Sequence, residues 1–305
     1  MSRALLITGA TGKQGGSVIR ALLAANADFD ILAVTRDSSS PSAKKLAEKS
    51  PRISLVQGNL DNAQGIFDTA KAASKAPIWG VFSVQTPAMN KTGPIIEERQ
   101  GKALVDAAMK HGVQHFVYSS VDRSGAKSFE NATNIPHFKS KHNIEHHLVQ
   151  KSKEAAFGWT ILRPVAFMEN FDGGFLGKVF ATSWRLAVKS RPLQLVATAD
   201  IGAFAAKAFM SPREFNRKEI SLAGDELTYE QMATLYSKKI QSGVPATWAL
   251  VARLVLWLSE EMGTMFAFFE REGYGANIKE LKKDHPELMT LETWLDKSSF
   301  PKRNA

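Results

Sequence analysis

An apolar run, Ala4-Leu5-Leu6-Ile7, passes directly into Thr8-Gly9-Ala10-Thr11-Gly12-Lys13-Gln14-Gly15-Gly16. A strand that ends in glycines at this spacing and continues into a helix makes a phosphate-binding turn. Gly9 permits the bend, Gly12 lets the backbone approach a pyrophosphate, and Gly15 lets helix and strand pack closely. The helix start adds unpaired N–H groups and a partial positive charge. The turn therefore predicts a dinucleotide fold beginning at the start of the chain, with Gly9, Ala10, Thr11, Gly12, Lys13, Gln14 and Gly15 around the pyrophosphate.

Downstream, strand-like and helical segments alternate. Strands are expected at residues 3–8, 29–35, 53–57, 78–84, 113–119 and 159–162, and helices at 13–25, 43–49, 62–74, 94–111 and 137–153. Repeated β-α-β units of this length imply a doubly wound parallel-sheet Rossmann fold of the α/β class, with ligand at the strands' carboxyl ends. After Arg163-Pro164 the pattern loosens, and only 193–197 and 220–222 look like strands. Helical segments follow at 228–242, 245–258, 260–271 and 290–297. The expected organisation is a dinucleotide-binding domain over 1–165 and a smaller, mostly helical C-terminal lobe over 166–305, partly interwoven with it.

The chain has 305 residues and 44% hydrophobic content, enough for a sizeable core. It contains no cysteine, which excludes disulfides and thiolate metal sites. The longest apolar stretch, 244–258, is too short to span a bilayer and carries Arg253. It reads as a buried helix or an oligomer face, and no membrane association is expected. Net charge is +9, but the basic residues are scattered without interleaved aromatics, so direct nucleic-acid binding is not expected.

The second strand ends in Thr35-Arg36-Asp37-Ser38. An acid at this place accepts from the 2′-hydroxyl of NAD(H), whereas an arginine pairs with the 2′-phosphate of NADP(H). Arg36 stands at the expected spot and makes NADP(H) the preferred cofactor. Asp37 leaves NAD(H) open.

These segments, with Gln57-Gly58-Asn59-Leu60-Asp61, Val117-Tyr118-Ser119-Ser120 and Arg163-Pro164-Val165-Ala166-Phe167-Met168-Glu169-Asn170, resemble the NmrA-like family of atypical short-chain dehydrogenase relatives. The resemblance covers roughly residues 3–300. It implies that Arg36, Asp37 and Ser38 face the 2′-phosphate and that Asn59 and Leu60 face the adenine. It also implies that Gln85, Thr86 and Pro87 run beside the nicotinamide ribose, that Arg99 contacts the cofactor, and that Lys141 binds the nicotinamide ribose. Phe167, Met168, Glu169 and Asn170 would close the nicotinamide end.

Active short-chain dehydrogenases use a Tyr-x-x-x-Lys pair for proton transfer. The four tyrosines here lead instead to Asp122, Ala233, Ile240 and Ile278, so the pair is absent. Lys141 is the candidate for its lysine, and His137, one turn earlier on the same helix face, stands where the tyrosine would be. The simpler role for His137 is to line the cleft. His142 and His146 share an i, i+4 spacing but lack a third ligand, so no metal is expected.

The resulting expectation is an NADP(H)-binding, redox-sensing or transcription-related regulator with a regulatory protein partner and a cofactor-dependent homodimer left open. The alternative is an NADPH-dependent reductase of a quinone, carbonyl or similar conjugated acceptor. A cytoplasmic location is expected, with the nucleus left open.

Overall fold

The computed structural model describes residues 3–74, 76–85, 90–154, 157–171 and 173–297. The chain divides into two units. The first comprises residues 1–120, 137–163 and 201–220, and the second 121–136, 164–200 and 221–305.

The first unit alternates β1 (Arg3–Ile7), α1 (Lys13–Ala24), β2 (Phe29–Thr35), α2 (Pro41–Ala47), β3 (Ile53–Gln57), α3 (Ala63–Ala73), β4 (Ile78–Ser83), α4 (Gly93–Lys110), β5 (His115–Ser119), α5 (Pro136–Lys151) and β6 (Gly158–Pro164). The order in the sheet is β3-β2-β1-β4-β5-β6, completed by β9 (Lys218–Leu222) beside β6. Neighbouring strands from β3 to β6 pair in parallel. The order reverses between β1 and β4, the place where such sheets leave a crevice at the strand ends.

Strand residues alternate between two buried faces. Leu6, Val81, Phe116 and Ile161 pack against Ile66 and Phe67 of α3, Leu104 of α4, and Ile144 and Leu148 of α5. Each such side chain stabilises the fold by about 1.5–3 kcal/mol relative to exposure. Gly101 lets α4 approach α5, since a Cβ there would lie 2.4 Å from Ile144 Cδ1. On the opposite face α7 (Thr198–Met210) brings Phe209 to Leu5 over Gly80, where a Cβ would meet them at 3.0 and 2.7 Å.

The second unit contains β7 (Ala166–Phe167), α6 (Phe175–Ala187), β8 (Leu193–Val196) and β10 (Asp225–Leu227). The strands form a small sheet in the order β10-β8-β7. Between these the chain forms α7 and the single turn α8 (Pro212–Phe215), and β9 carries it back into the second unit. Then come α9 (Tyr229–Ile240), α10 (Ala249–Leu258), α11 (Glu260–Arg271), α12 (Ile278–Asp284) and α13 (Leu291–Lys297). Phe171, Phe180, Trp184, Phe266 and Phe269 are buried in this unit and pack ring against ring.

Two helices, α6 and α7, occupy stretches where the sequence pattern had loosened. Most of α7 is buried, on every side, so it lacks the one-sided apolar stripe that periodicity detects. Among the described residues no helix is long and apolar enough to cross a membrane.

Candidate functional site

The glycine turn is tied at both ends to neighbouring strands. Buried Thr8 donates through Oγ1 to the carbonyls of Phe82 and Val84, both at 3.1 Å, and accepts from the Val84 N–H at 2.9 Å. This ties the end of β1 to the end of β4. Gln14 accepts through Oε1 from the Ser119 hydroxyl, tying the start of α1 to the end of β5.

Within the turn Gly9 has φ +59°, a left-handed conformation that favours glycine. The Gly12 N–H donates to the Gly9 carbonyl at 2.9 Å. Any Cβ on Gly15 would lie 2.4 Å from that carbonyl oxygen, so only glycine fits. Gly12 is the N-cap of α1 and offers no side-chain cap, which leaves the first-turn N–H groups of Gln14 and Gly15 without intrahelical acceptors. Ala10 is buried, whereas Thr11 and Lys13 are exposed. The cradle fits a pyrophosphate, both in its missing side chains and in its donors.

At the end of β2 two neighbouring charges behave differently. The Asp37 carboxylate accepts from the Ser39 N–H at 2.8 Å and the Ser39 hydroxyl at 2.6 Å. Those bonds hold its pKa below the usual carboxylate value. Arg36 is exposed and has no hydrogen-bond or ion-pair partner among the described residues. Ser38 donates to Gln57 Oε1 at 2.7 Å, and Ser40 caps α2 through Ala43. The loop is thus closed by its own polar groups, with the guanidinium left over.

Asn59 caps the 3-10 turn at Leu60–Asn62 by accepting from the Asp61 N–H, and Leu60 packs against the sheet core. Arg99 reaches Asp61 at 2.6 Å in an exposed ion pair. Hydrogen bonds from Gln100 and then Arg99 lower the pKa of Asp61. Arg99 therefore already has an acidic partner in this structure.

Gln85 follows β4 and is buried. Its Nε2 donates to Ser83 Oγ at 2.9 Å, while Oε1 has no partner among the described residues. Thr86 and Pro87 lie outside the described residues.

Lys141 on α5 donates from Nζ to Glu97 Oε1 on α4 at 2.6 Å, and Ser140 donates to the other carboxylate oxygen at 2.5 Å. Glu97 is fully buried. No sequence motif pointed to it, because it lies 44 residues away on another helix. Two of the three ammonium donors of Lys141 have no partner among the described residues.

Burial, helped by the Lys141 charge, pushes the His137 pKa down to about 3. At neutral pH His137 is therefore an uncharged imidazole, able to accept or donate a hydrogen bond but carrying no imidazolium proton to give. Ser120 donates to Glu145, which also holds Arg163 in a buried bidentate pair with Nη2···Oε2 at 2.7 Å. Arg163, the start of the family-like segment, is thus a structural group. Among the described residues no three His, Asp or Glu side chains gather into a metal site. His142 and His146 instead lie ring beside ring, 4.2 Å between centroids.

In the second unit Met168 is buried and Phe167 and Asn170 are half-buried. Glu169 accepts through Oε1 from the Thr198 N–H at 2.9 Å, the Thr198 hydroxyl at 2.7 Å and Trp294 Nε1 at 3.3 Å. The fit to a dinucleotide thus rests on the first unit.

A sequence model of the NmrA-like family matches residues 1–295. The chain belongs to the NmrA-like family. This NmrA-like chain is 26% identical to an NmrA-like family domain-containing oxidoreductase, ptmS, of Penicillium ochrochloron, over 94% of the chain and 95% of that protein. Its fold is similar to that of the NADPH-dependent quinone oxidoreductase QOR2 of Escherichia coli, solved with NADPH (TM-score 0.72, 20% identity, 96% of this chain and 98% of that one). It is also similar to NmrA, a negative transcriptional regulator solved with NAD (TM-score 0.70, 18% identity, 98% and 96%). At these identities the solved structures establish the Rossmann-type fold of the NmrA-like chain, which the sequence had predicted.

Proposed function

We propose that the chain binds NADP(H) in its first unit and reduces a small conjugated acceptor, a quinone or carbonyl compound. One observation carries the cofactor choice: Asp37 is spent on closing its own loop, while the neighbouring Arg36 keeps its guanidinium unpaired among the described residues. A guanidinium fork suits a phosphate and has no comparable partner in a 2′-hydroxyl. The α1 N-terminus and Gly9–Gly15 backbone would hold the pyrophosphate. The buried Gln85 Oε1 and the two remaining Lys141 donors are the polar groups suited to the nicotinamide ribose.

The bound cofactor supplies a hydride. The protein's part is to bind, orient and exclude water. Lys141, fixed by Glu97, serves as a cationic hydrogen-bond donor. His137, neutral at pH 7, is a poor proton donor, so the reading favours acceptors that take their proton from water after reduction. The naming of full-length relatives as oxidoreductases supports the same reading.

A second reading, a regulator that senses cofactor state and binds a protein partner, is favoured by the missing Tyr-x-x-x-Lys pair. It requires the cofactor to favour one conformation or assembly over another. Following NADPH oxidation against a panel of quinones and carbonyls tests both. Turnover that is lost in Lys141→Ala while the protein stays folded supports the reductase. Tight NADPH binding without turnover, together with cofactor-dependent assembly, supports the regulator.

A further inference from the structure

We infer that the exposed face of α10 is a docking surface for a second copy of this chain, packed antiparallel about a two-fold axis at Leu254. Leu250, Leu254, Trp257 and Leu258 fall at i, i+4, i+7 and i+8, one face of a helix. They are 76%, 50%, 79% and 67% exposed, and Trp248 just before the helix is 81% exposed. The opposite side is anchored: Ala252 is buried, α10 packs on α6 and α11, and Thr182 of α6 accepts from the Thr247 N–H at 3.0 Å. The helix is therefore seated in the second unit with its large apolar side chains outward.

Those five side chains expose on the order of 700 Å², near the roughly 800 Å² that each partner contributes to a stable interface. Soluble monomers rarely leave so large an apolar patch open. The spacing is self-complementary. A two-fold axis at Leu254 sets Leu254 against its own copy and Leu250 against Leu258 of the partner subunit, so one patch serves both sides. Antiparallel helices also set opposite dipole ends together. The charges at the rim are of mixed sign, Arg253 within the helix and Glu260 and Glu261 directly after it, which suits another protein better than an anionic bilayer.

The absence of cysteine makes the test clean. In the full chain, Leu254→Cys places one thiol on the axis, and Lys110→Cys places one on the exposed end of α4 as a control. The expected results are a wild-type dimer by sedimentation velocity at micromolar concentration and rapid disulfide-linked dimer in Leu254→Cys but not in Lys110→Cys. Leu254→Glu should be monomeric yet folded, with a native far-ultraviolet circular dichroism spectrum, since Leu254 is half exposed, and its unfolding midpoint should lose the concentration dependence that the wild-type dimer shows. A wild-type monomer throughout that range, equal cross-linking of the two cysteine variants, or a Leu254→Glu dimer would overturn the proposal. So would a monomer that co-sediments with phosphatidylserine vesicles in a Trp257-dependent way, which assigns the face to a membrane.

Discussion

Lys141 and Glu97 meet at 2.6 Å between α5 and α4, and the carboxylate is fully buried. The ammonium at the candidate site is thereby positioned by a helix that the local motif does not contain. Removing one member of a buried pair strands the other charge, at a cost of about 3–5 kcal/mol. Glu97→Ala should lower the unfolding free energy by that amount in urea denaturation. Glu97→Gln, which keeps one acceptor oxygen for Lys141 but presents an amide donor where Ser140 donates, should cost about 1–3 kcal/mol. Combining Glu97→Gln with Lys141→Met should recover much of the loss, and a double-mutant cycle without coupling would contradict the pairing.

Gly15 offers a sharper test of the turn. A Cβ at 2.4 Å from the Gly9 oxygen and 2.5 Å from the Thr8 oxygen cannot be accommodated without moving the turn or α1. Gly15→Ala should therefore weaken dinucleotide binding at least about tenfold, some 1.4 kcal/mol, by isothermal titration. Far-ultraviolet circular dichroism should remain close to that of the native protein, because the sheet core does not depend on the turn. Unchanged affinity would place the cofactor elsewhere.

Two histidines set an acid limit on stability. Burial holds His115 down to about 4, and burial with the Lys141 charge holds His137 down to about 3, both against an ordinary value of 6.5. Below pH 6.5 the unfolded chain takes up protons that the folded chain excludes, so stability falls as pH falls through this window. At pH 5 each histidine should cost about 2 kcal/mol relative to neutral pH. Urea denaturation at pH 7 and pH 5 measures the sum, and His137→Asn should remove its share. A pH-independent difference between that variant and the wild type would show that His137 is not buried as a neutral ring.

What could be read from sequence was what is local. The strand, the glycine turn and α1 lie within two dozen residues, and each glycine has one steric reason to be there. The diversion of Asp37 was not read, although Asp37-Ser38-Ser39 is a local side-chain-to-backbone turn signal. Glu97 was not readable, since nothing in α4 says which helix it will face. The ion pair of Arg99 with Asp61, 38 residues earlier, was equally beyond the local pattern. The stretch 244–258 was read as a buried helix or an oligomer face. Only the three-dimensional packing shows that Leu250, Leu254, Trp257 and Leu258 point outward.

Titrating wild type and Arg36→Ala with NADPH and NADH shows whether Arg36 selects NADP(H). Wild type should bind NADPH the more tightly, and the variant should lose about 1.5–3 kcal/mol of NADPH affinity, the worth of a charge-assisted hydrogen bond, with NADH affinity nearly unchanged. NADH binding as tightly as NADPH in the wild type, or equal losses for both cofactors in the variant, would contradict the account.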